Sequence, residues 1–199
     1  MWLYNFCHKS IRGILSLFWR IDVEGSELIP LQGGGIICSN HASTWDPVVM
    51  AISMNRPVHY MAKDELYRTA FMRWLLPRLG AVRVKRGITD RRAIREFLAY
   101  LSAGELCALF PEGTRSRDGE LHAFFQGAAY FAVKSGTPLI PAALVGDVGR
   151  MRSEVVVRFA APLAPPAQPN PERETMEFWT AKLMQEIAAL QAKGSENED

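Results

Sequence analysis

The sequence is poor in cysteine and lacks any long uninterrupted apolar run. Three cysteines in 199 residues are too few, and of the wrong parity, for a disulfide framework, and they favour a reducing compartment. No apolar stretch approaches the roughly 18–20 residues of a membrane-spanning helix. CxxC and HExxH patterns are missing, so we expect no bound metal. Internal repeats are absent, and the length suits one domain with a small appendage.

Charge is nearly balanced overall but unevenly placed. The formal net charge is +2, yet residues 56–95 contain eleven basic and three acidic residues, a local charge of +8. Such a segment predicts an anionic partner, which is a membrane surface, a phosphorylated ligand or a nucleic acid. Solvated helix faces would explain the same charges. Nucleic-acid binding is disfavoured because no recognised motif or aromatic interleaving accompanies the basic residues.

The first twenty residues have apolar and cationic positions at helical spacing. One face collects Leu3, Tyr4, Cys7, Ile11, Ile14, Leu15 and Phe18, and the opposite face collects Asn5, Lys9, Arg12, Ser16 and Arg20. This pattern predicts an amphipathic helix over residues 1–22 that lies on an anionic membrane surface. A helix packed on its own domain is the alternative. A secretory signal is disfavoured, because basic residues interrupt the apolar stretch.

Short apolar runs alternate with helical patterns through the rest of the chain. The expected strands cover residues 36–38, 57–61, 82–85, 106–110, 139–145 and 155–159. The expected helices cover residues 48–54, 65–76, 89–102, 127–134 and 172–192. This alternation predicts an α/β fold over residues 23–193, with a mostly parallel central sheet flanked by helices. Residues 194–199 are expected to form a polar tail.

A first polar cluster, at residues 40–46, follows the strand expected at 36–38. It contains His41, the residue type most often used as a general base near neutral pH, and Asp46, a carboxylate that could orient it. On one helix these side chains would lie about 140° apart, so they can meet only across a turn. Asp46 followed by Pro47 predicts a helix start with Asp46 as its N-cap. The structural alternative is that Asp46 only caps the helix and His41 is only a satisfied polar residue.

A second polar cluster, at residues 110–116, follows the strand expected at 106–110. Gly113 permits close approach of the backbone, Arg115 offers a planar fork suited to phosphate, and Thr114 adds a hydroxyl donor. Glu112 could orient Arg115 or bind a substrate hydroxyl. Together these residues predict an anion-binding loop. A surface turn with a Glu112–Arg115 pair is the alternative. Cys38 and Cys107 lie inside expected strands, which favours buried apolar positions over nucleophiles.

The two clusters together resemble the glycerolipid acyltransferase family. Asn40-His41-x-Ser43-x-x-Asp46 is followed about 65 residues later by Phe110-Pro111-Glu112-Gly113-Thr114-Arg115-Ser116. Two weaker blocks also fit, at residues 80–86, ending in Arg86, and at residues 139–144, a strand with an internal proline. The blocks occur in the family's order. The sequence is most similar to the small bacterial members that acylate 1-acyl-glycerol-3-phosphate.

The resemblance implies transfer of an acyl chain from acyl-CoA or acyl carrier protein to the 2-hydroxyl of lysophosphatidic acid, giving phosphatidic acid for phospholipid biosynthesis. It assigns His41 as catalytic base and Asp46 as its orienting partner, with an oxyanion bound by backbone N–H groups near residues 46–48. Arg86 and Arg115 would hold the phosphate, with Thr114 as a further donor. Gly113 would allow close approach, and Glu112 would help to place the glycerol.

The resemblance also implies that the protein binds no cofactor besides the thioester co-substrate, and that it attaches peripherally to the cytoplasmic face of the membrane. One departure from the family pattern is Gln126, which stands where members often carry a lysine. Two alternatives remain open. The acceptor could be another lysophospholipid or an ornithine lipid, or the chain could be a non-catalytic lipid-surface binding module.

Overall fold

One seven-stranded sheet organises the part of the chain that the structure describes. The structure is a computed structural model, and it describes residues 13, 15, 18–85, 87–116, 118–148, 150 and 152–193. The strands are β1 (Arg20–Glu24), β2 (Gly35–Ser39), β3 (Val58–Lys63), β4 (Val82–Val84), β5 (Leu106–Leu109), β6 (Leu139–Val145) and β7 (Glu154–Phe159). The helices are α1 (Asp46–Ile52), α2 (Ala70–Arg78), α3 (Arg91–Ser102), α4 (Gly127–Ser135) and α5 (Arg173–Ala192).

The strands are ordered β1-β7-β6-β2-β5-β3-β4 across the sheet. Every neighbouring pair is parallel except β6 and β7, which are antiparallel. Helices connect β2 to β3, β3 to β4, β4 to β5 and β5 to β6. The predicted α/β fold with a mostly parallel sheet is confirmed. Parallel strands are covered on both faces, which explains why β2 and most of β6 are buried along their length.

The apolar core lies in two layers, one on each face of the sheet. On one face, α1 packs its buried Val49, Met50 and Ile52 against the strands. On the other face, α3, α4 and α5 contribute buried side chains, among them Phe97 and Ile187. Helix α3 begins two residues later than predicted, because Asp90 is its N-cap and its side chain accepts hydrogen bonds from the backbone N–H groups of the first turn.

The helix predicted over residues 65–76 begins later and ends later. The chain first forms a 3-10 turn at Asp64–Tyr67, and α2 then covers Ala70–Arg78. Thr69 separates the two, because its hydroxyl accepts a hydrogen bond from the N–H of Met72 at 3.2 Å and caps α2. Tyr67 is buried and donates its hydroxyl to the carbonyl of Ala81 at 3.0 Å, which fixes the turn beside β4.

The N-terminal segment joins the core before residue 22. Leu15 and Trp19 are buried, and Trp19 donates its indole N–H to the carbonyl of Arg150 at 2.9 Å. Strand β1 then runs from Arg20 to Glu24, so the predicted helix over residues 1–22 is wrong at its C-terminal end. The reason is that β7 supplies a parallel partner for Ile21 and Val23. Residues 13 and 15 are helical, as predicted, whereas residues 1–12, 14, 16 and 17 lie outside the described residues, as does the tail at 194–199.

No helix among the described residues is both long enough and apolar enough to cross a bilayer.

Candidate active site

Two neighbouring parallel strands bring the polar clusters together. Strand β2 pairs with β5, with Ile36 opposite Cys107 and Cys38 opposite Leu109, so both strands end at the same edge of the sheet. The loop with His41 follows β2, and the loop with Glu112 follows β5. Carboxyl ends of parallel strands are the usual place for sites in α/β folds. The sheet topology therefore brings the two clusters to the same edge of the sheet.

His41 and Asp46 meet across a turn, as their spacing requires. The Nδ1 atom of His41 lies 2.8 Å from Oδ2 of Asp46. The same carboxylate oxygen accepts the backbone N–H groups of Ala42 and Ser43, each at 2.7 Å. Asp46 is therefore the first residue of α1 and not its N-cap. The expected cap is wrong, because the carboxylate turns back into the loop and Trp45 occupies the cap position.

The hydrogen-bond pattern defines which imidazole nitrogen can act as a base. A carboxylate oxygen that already receives two backbone N–H groups is an acceptor, so Nδ1 carries the proton of the neutral ring. The lone pair is then on Nε2. The imidazole also stacks on Phe110, with ring centroids 4.1 Å apart, which fixes the plane of the ring. About 17% of the His41 side chain is exposed, against 2% for Asp46. The arrangement is suited to proton abstraction by Nε2.

Glu112 links the two loops through backbone groups. One oxygen of its buried carboxylate accepts the N–H of His41 at 2.9 Å, and the other accepts the N–H of His122 at 3.2 Å. The carbonyl of His41 in turn accepts the N–H of Ser116 at 2.7 Å. These contacts tie the carboxylate to backbone groups, and the expected role of Glu112 in placing the glycerol stays a prediction. Glu112 is a positioning residue for the loop that carries His41.

Asn40 attaches the same loop to the other neighbour of β2. Its side-chain amide donates to the carbonyl of Leu144 at 2.9 Å, and its amide oxygen accepts the N–H of Leu144 at 2.8 Å. Both polar ends of a buried amide are thereby satisfied. With Asn40 fixed to β6 and His41 fixed to Glu112, the loop is held from both sides.

A polar cavity of about 490 Å³ opens beside Ala42, the residue that follows His41. It is lined by Ala42, Lys63, Thr114, Arg115 and Ser116. The guanidinium of Arg115 donates to the Thr44 hydroxyl at 2.5 Å, which orients it from the first cluster. Two cations and two hydroxyls around one cavity are suited to a phosphate monoester.

Lys63 was not predicted as a site residue. It ends strand β3, at the same edge of the sheet as His41 and Glu112. That position was the available signal, because polar residues at the carboxyl ends of neighbouring parallel strands converge. Arg86, the other predicted phosphate ligand, lies outside the described residues.

Gly113 is required by the backbone of its loop. Its φ of 68° lies in the left-handed region, and a Cβ there would come within 2.8 Å of the Phe125 ring. The turn that presents Thr114 and Arg115 to the cavity therefore depends on glycine.

The expected oxyanion donors at residues 46–48 are already in use. The N–H of Asp46 donates to the carbonyl of Ser43 at 3.3 Å, and the N–H of Val48 donates to the carbonyl of Trp45 at 2.9 Å. Pro47 has no N–H. This expectation is wrong, because the tight turn before α1 consumes the donors that an ordinary helix start would offer.

Cys38 and Cys107 are buried, and burial raises the pKa of both thiols, that of Cys107 to about 12. A thiol with so high a pKa carries almost no thiolate at neutral pH, so neither cysteine is a nucleophile. Within the described residues, no three His, Cys, Asp or Glu side chains gather where they could hold a metal ion.

Comparison with known proteins identifies the family. Residues 20–145 match the family model described as Acyltransferase. The 1-acyl-sn-glycerol-3-phosphate acyltransferase of Bacillus subtilis (strain 168) is 32% identical over 146 residues, which cover 72% of this chain and 72% of that protein. The chain belongs to the acyltransferase family, as the two motifs predicted.

Further relatives agree in name and in fold. A 1-acyl-sn-glycerol-3-phosphate acyltransferase of Borreliella burgdorferi is 34% identical over 127 residues, and the match spans 63% of this chain but only 51% of that protein. The crystal structure of the 1-acyl-sn-glycerophosphate (LPA) acyltransferase PlsC from Thermotoga maritima superposes with a TM-score of 0.73 at 27% identity. That superposition covers 94% of this chain and 80% of the Thermotoga chain.

Proposed function

We propose that this acyltransferase moves an acyl chain from a thioester to the 2-hydroxyl of 1-acyl-glycerol-3-phosphate, giving phosphatidic acid. The observation that carries the proposal is the His41–Asp46 pair, 2.8 Å apart, in a loop whose Ala42 lines a cavity together with Lys63 and Arg115. A base activates the acceptor hydroxyl, and the cations recognise the acceptor's phosphate. Relatives named for this reaction support the choice of substrate.

The reaction follows from the ring geometry. Nε2 of His41 takes the proton of the acceptor hydroxyl while the oxygen attacks the thioester carbonyl carbon. Asp46 stabilises the imidazolium that forms, through its hydrogen bond to Nδ1. The tetrahedral intermediate then collapses, the carbon–sulfur bond breaks, and the imidazolium returns its proton to the leaving thiolate. A thiolate leaves readily, so the scheme needs no bound cofactor or metal.

The phosphate sits in the cavity in this proposal. Lys63 supplies a point charge, Arg115 a planar donor pair, and Thr114 a hydroxyl. Arg86 is proposed as a further cation for the same phosphate. The thioester is acyl-CoA or an acyl carrier protein conjugate, and both offer phosphate or acidic groups to the basic segment of residues 56–95. The enzyme acts at the cytoplasmic face of the membrane, where its acceptor lipid resides.

The proposal is tested with purified full-length protein, lysophosphatidic acid and either thioester. We expect phosphatidic acid to appear with release of one thiol per product. His41→Ala should lower the rate by about 10²–10⁴-fold, the usual cost of losing a general base, while phosphate-dependent acceptor binding persists. A His41→Ala protein with more than about a tenth of the wild-type rate would remove His41 from the mechanism.

The acceptor is tested separately with a panel of lysophospholipids and an ornithine lipid. The proposal predicts that acceptors with a phosphate monoester headgroup react fastest, because Lys63 and Arg115 match its charge. Faster reaction of a zwitterionic acceptor would refute the assignment of the cavity to that phosphate.

A further inference from the structure

Helix α2 exposes its apolar side chains. It contains Phe71, Met72, Trp74, Leu75 and Leu76, yet none of its residues is buried. Helices α3, α4 and α5 each bury at least three residues in the core. The topology explains the difference, because α2 crosses from β3 to β4, and β4 is the edge strand of the sheet. Among the described residues, no further strand lies beside β4 to extend the surface on which α2 could pack.

Phe71 and Trp74 form an exposed apolar pair on α2. They are 60% and 48% exposed, and their rings lie 6.2 Å apart. Leu66 is 53% exposed and belongs to the preceding 3-10 turn, which contacts α2. We call these three residues the α2 surface. Exposed apolar side chains clustered in this way mark an interaction site more often than scattered ones do.

The charges around the α2 surface are mostly positive. Residues 63–88 contain seven basic residues and two acidic ones, Asp64 and Glu65. Asp64 pairs with Arg83 and neutralises one of the cations. The Arg78 guanidinium stacks over the Trp74 ring, 4.6 Å from its centroid, and Arg73 donates to the carbonyl of Arg68 at 3.0 Å. Backbone carbonyls and an aromatic face leave the positive charge of both guanidiniums uncompensated. The partner of this surface is therefore anionic.

We infer that the α2 surface docks on an anionic lipid bilayer, with Phe71 and Trp74 inserted among the headgroups. A short exposed helix with aromatic residues and flanking arginines has the features of interfacial membrane helices. The 3-10 turn that carries Leu66 also begins directly after Lys63, which lines the cavity. This inference deepens the proposed function, because docking there presents the cavity to a lipid acceptor.

The test is flotation of the full-length chain with phosphatidylcholine vesicles that contain or lack phosphatidylglycerol. The variant is Phe71→Ser with Trp74→Ser, and the matched control is Phe178→Ser, because Phe178 on α5 is also 60% exposed. Binding of apolar side chains scales with the area they bury, so we expect the double variant to bind anionic vesicles about tenfold more weakly or worse. Phe178→Ser should bind as the wild type does. Wild-type binding should weaken with added salt and with removal of phosphatidylglycerol.

A second measurement, quenching of tryptophan fluorescence by brominated lipids, needs no substitution that would destabilise the fold. Brominated lipids should quench more fluorescence in the wild type than in Trp74→Phe, and the difference reports insertion of Trp74. Equal quenching in both proteins, or wild-type binding by the double variant, would overturn the inference. The wild type could instead form a dimer that does not bind vesicles and that dissociates in the double variant. That result would assign the surface to a contact between two copies of the chain and would also overturn the inference.

These outcomes are independent of the reaction. Vesicle binding that persists without turnover of lysophosphatidic acid would refute the proposed function and leave the docking surface in place. With turnover established, the double variant should lose activity on vesicle-borne acceptor and keep it on a short-chain acceptor below its critical micelle concentration.

Discussion

Replacement of Asp46 by asparagine separates the catalytic role of this residue from its structural one. The Oδ2 atom of Asp46 accepts three hydrogen bonds, one from the His41 ring and two from backbone N–H groups. Asparagine keeps the shape and one acceptor oxygen but removes the charge. Hydrogen bonds to charged groups contribute about 1.5–3 kcal/mol and neutral ones about 0.5–1.5 kcal/mol. Asparagine also avoids the cost of burying a charged carboxylate, which offsets part of the difference between the two kinds of hydrogen bond. We therefore expect the free energy of unfolding to fall by only about 1–2 kcal/mol.

The rate should fall much further, because the neutral amide no longer stabilises the imidazolium. We expect a loss of about 10²–10⁴-fold in kcat, which corresponds to about 3–5 kcal/mol of transition-state stabilisation. The assay is thiol release from acyl-CoA, with urea unfolding measured on the same preparations. Asp118→Asn is the matched control, because Asp118 also pairs with a histidine, His122, but is exposed. Asp46→Asn activity above about a tenth of wild type would refute the pairing as a catalytic device.

Four further outcomes follow from the contacts. Arg115→Ala and Lys63→Gln should each raise KM for lysophosphatidic acid more than KM for the thioester, in steady-state kinetics. Glu112→Gln should lower both Tm and kcat, because an amide oxygen can replace only one of two carboxylate acceptors of backbone N–H groups. Trp19→Ala should lower the free energy of unfolding by about 3 kcal/mol in urea titration, since it empties a core position. Burial lowers the pKa of His59, so its proton binds more readily in the unfolded state, whose pKa is about 6.5. Stability should therefore fall as pH drops below that value, and His59→Phe should reduce the slope.

Each of these outcomes has a result that would count against it. An effect of Arg115→Ala on thioester KM alone would mean that the two substrates are assigned the wrong way round. Unchanged Tm in Glu112→Gln would mean that the two loops hold together without its second oxygen. A fully stable protein lacking residues 1–19 would place Trp19 outside the cooperative core, and an unchanged pH slope in His59→Phe would assign the acid sensitivity to other groups.

The sequence predicted those elements whose own residues determine their structure. The strand expected at residues 139–145, with its internal proline, is confirmed as β6, because the continuous apolar run of a buried strand is visible in its own residues. The spacing of His41 and Asp46 showed that they can meet only across a turn, and the structure has that turn. That they do meet was implied by the family resemblance.

The features that the sequence did not predict depend mainly on contacts between residues that are far apart in the chain. Strand β1 alternates polar and apolar residues over only five positions, directly after the helical spacing of the first twenty residues, and it becomes a strand because β7 lies beside it. Glu112 binds backbone N–H groups, which carry no residue-type signal. Asp46 resembled a helix cap because the Asp-Pro pair is common there, and only the turn of residues 41–45 decides which N–H groups its carboxylate reaches.

The pairing of β1 with β7 also sets the order in which the domain can fold. Arg20 lies opposite Glu154, 134 residues later in the chain. A ribosome makes β1 early, yet its partner strand is finished only when most of the domain has left the tunnel. Until then the Trp19 indole lacks the Arg150 carbonyl to which it donates. Closure of this edge is a non-local and therefore late step, so the N-terminal segment joins a sheet whose remaining strands have already been synthesised.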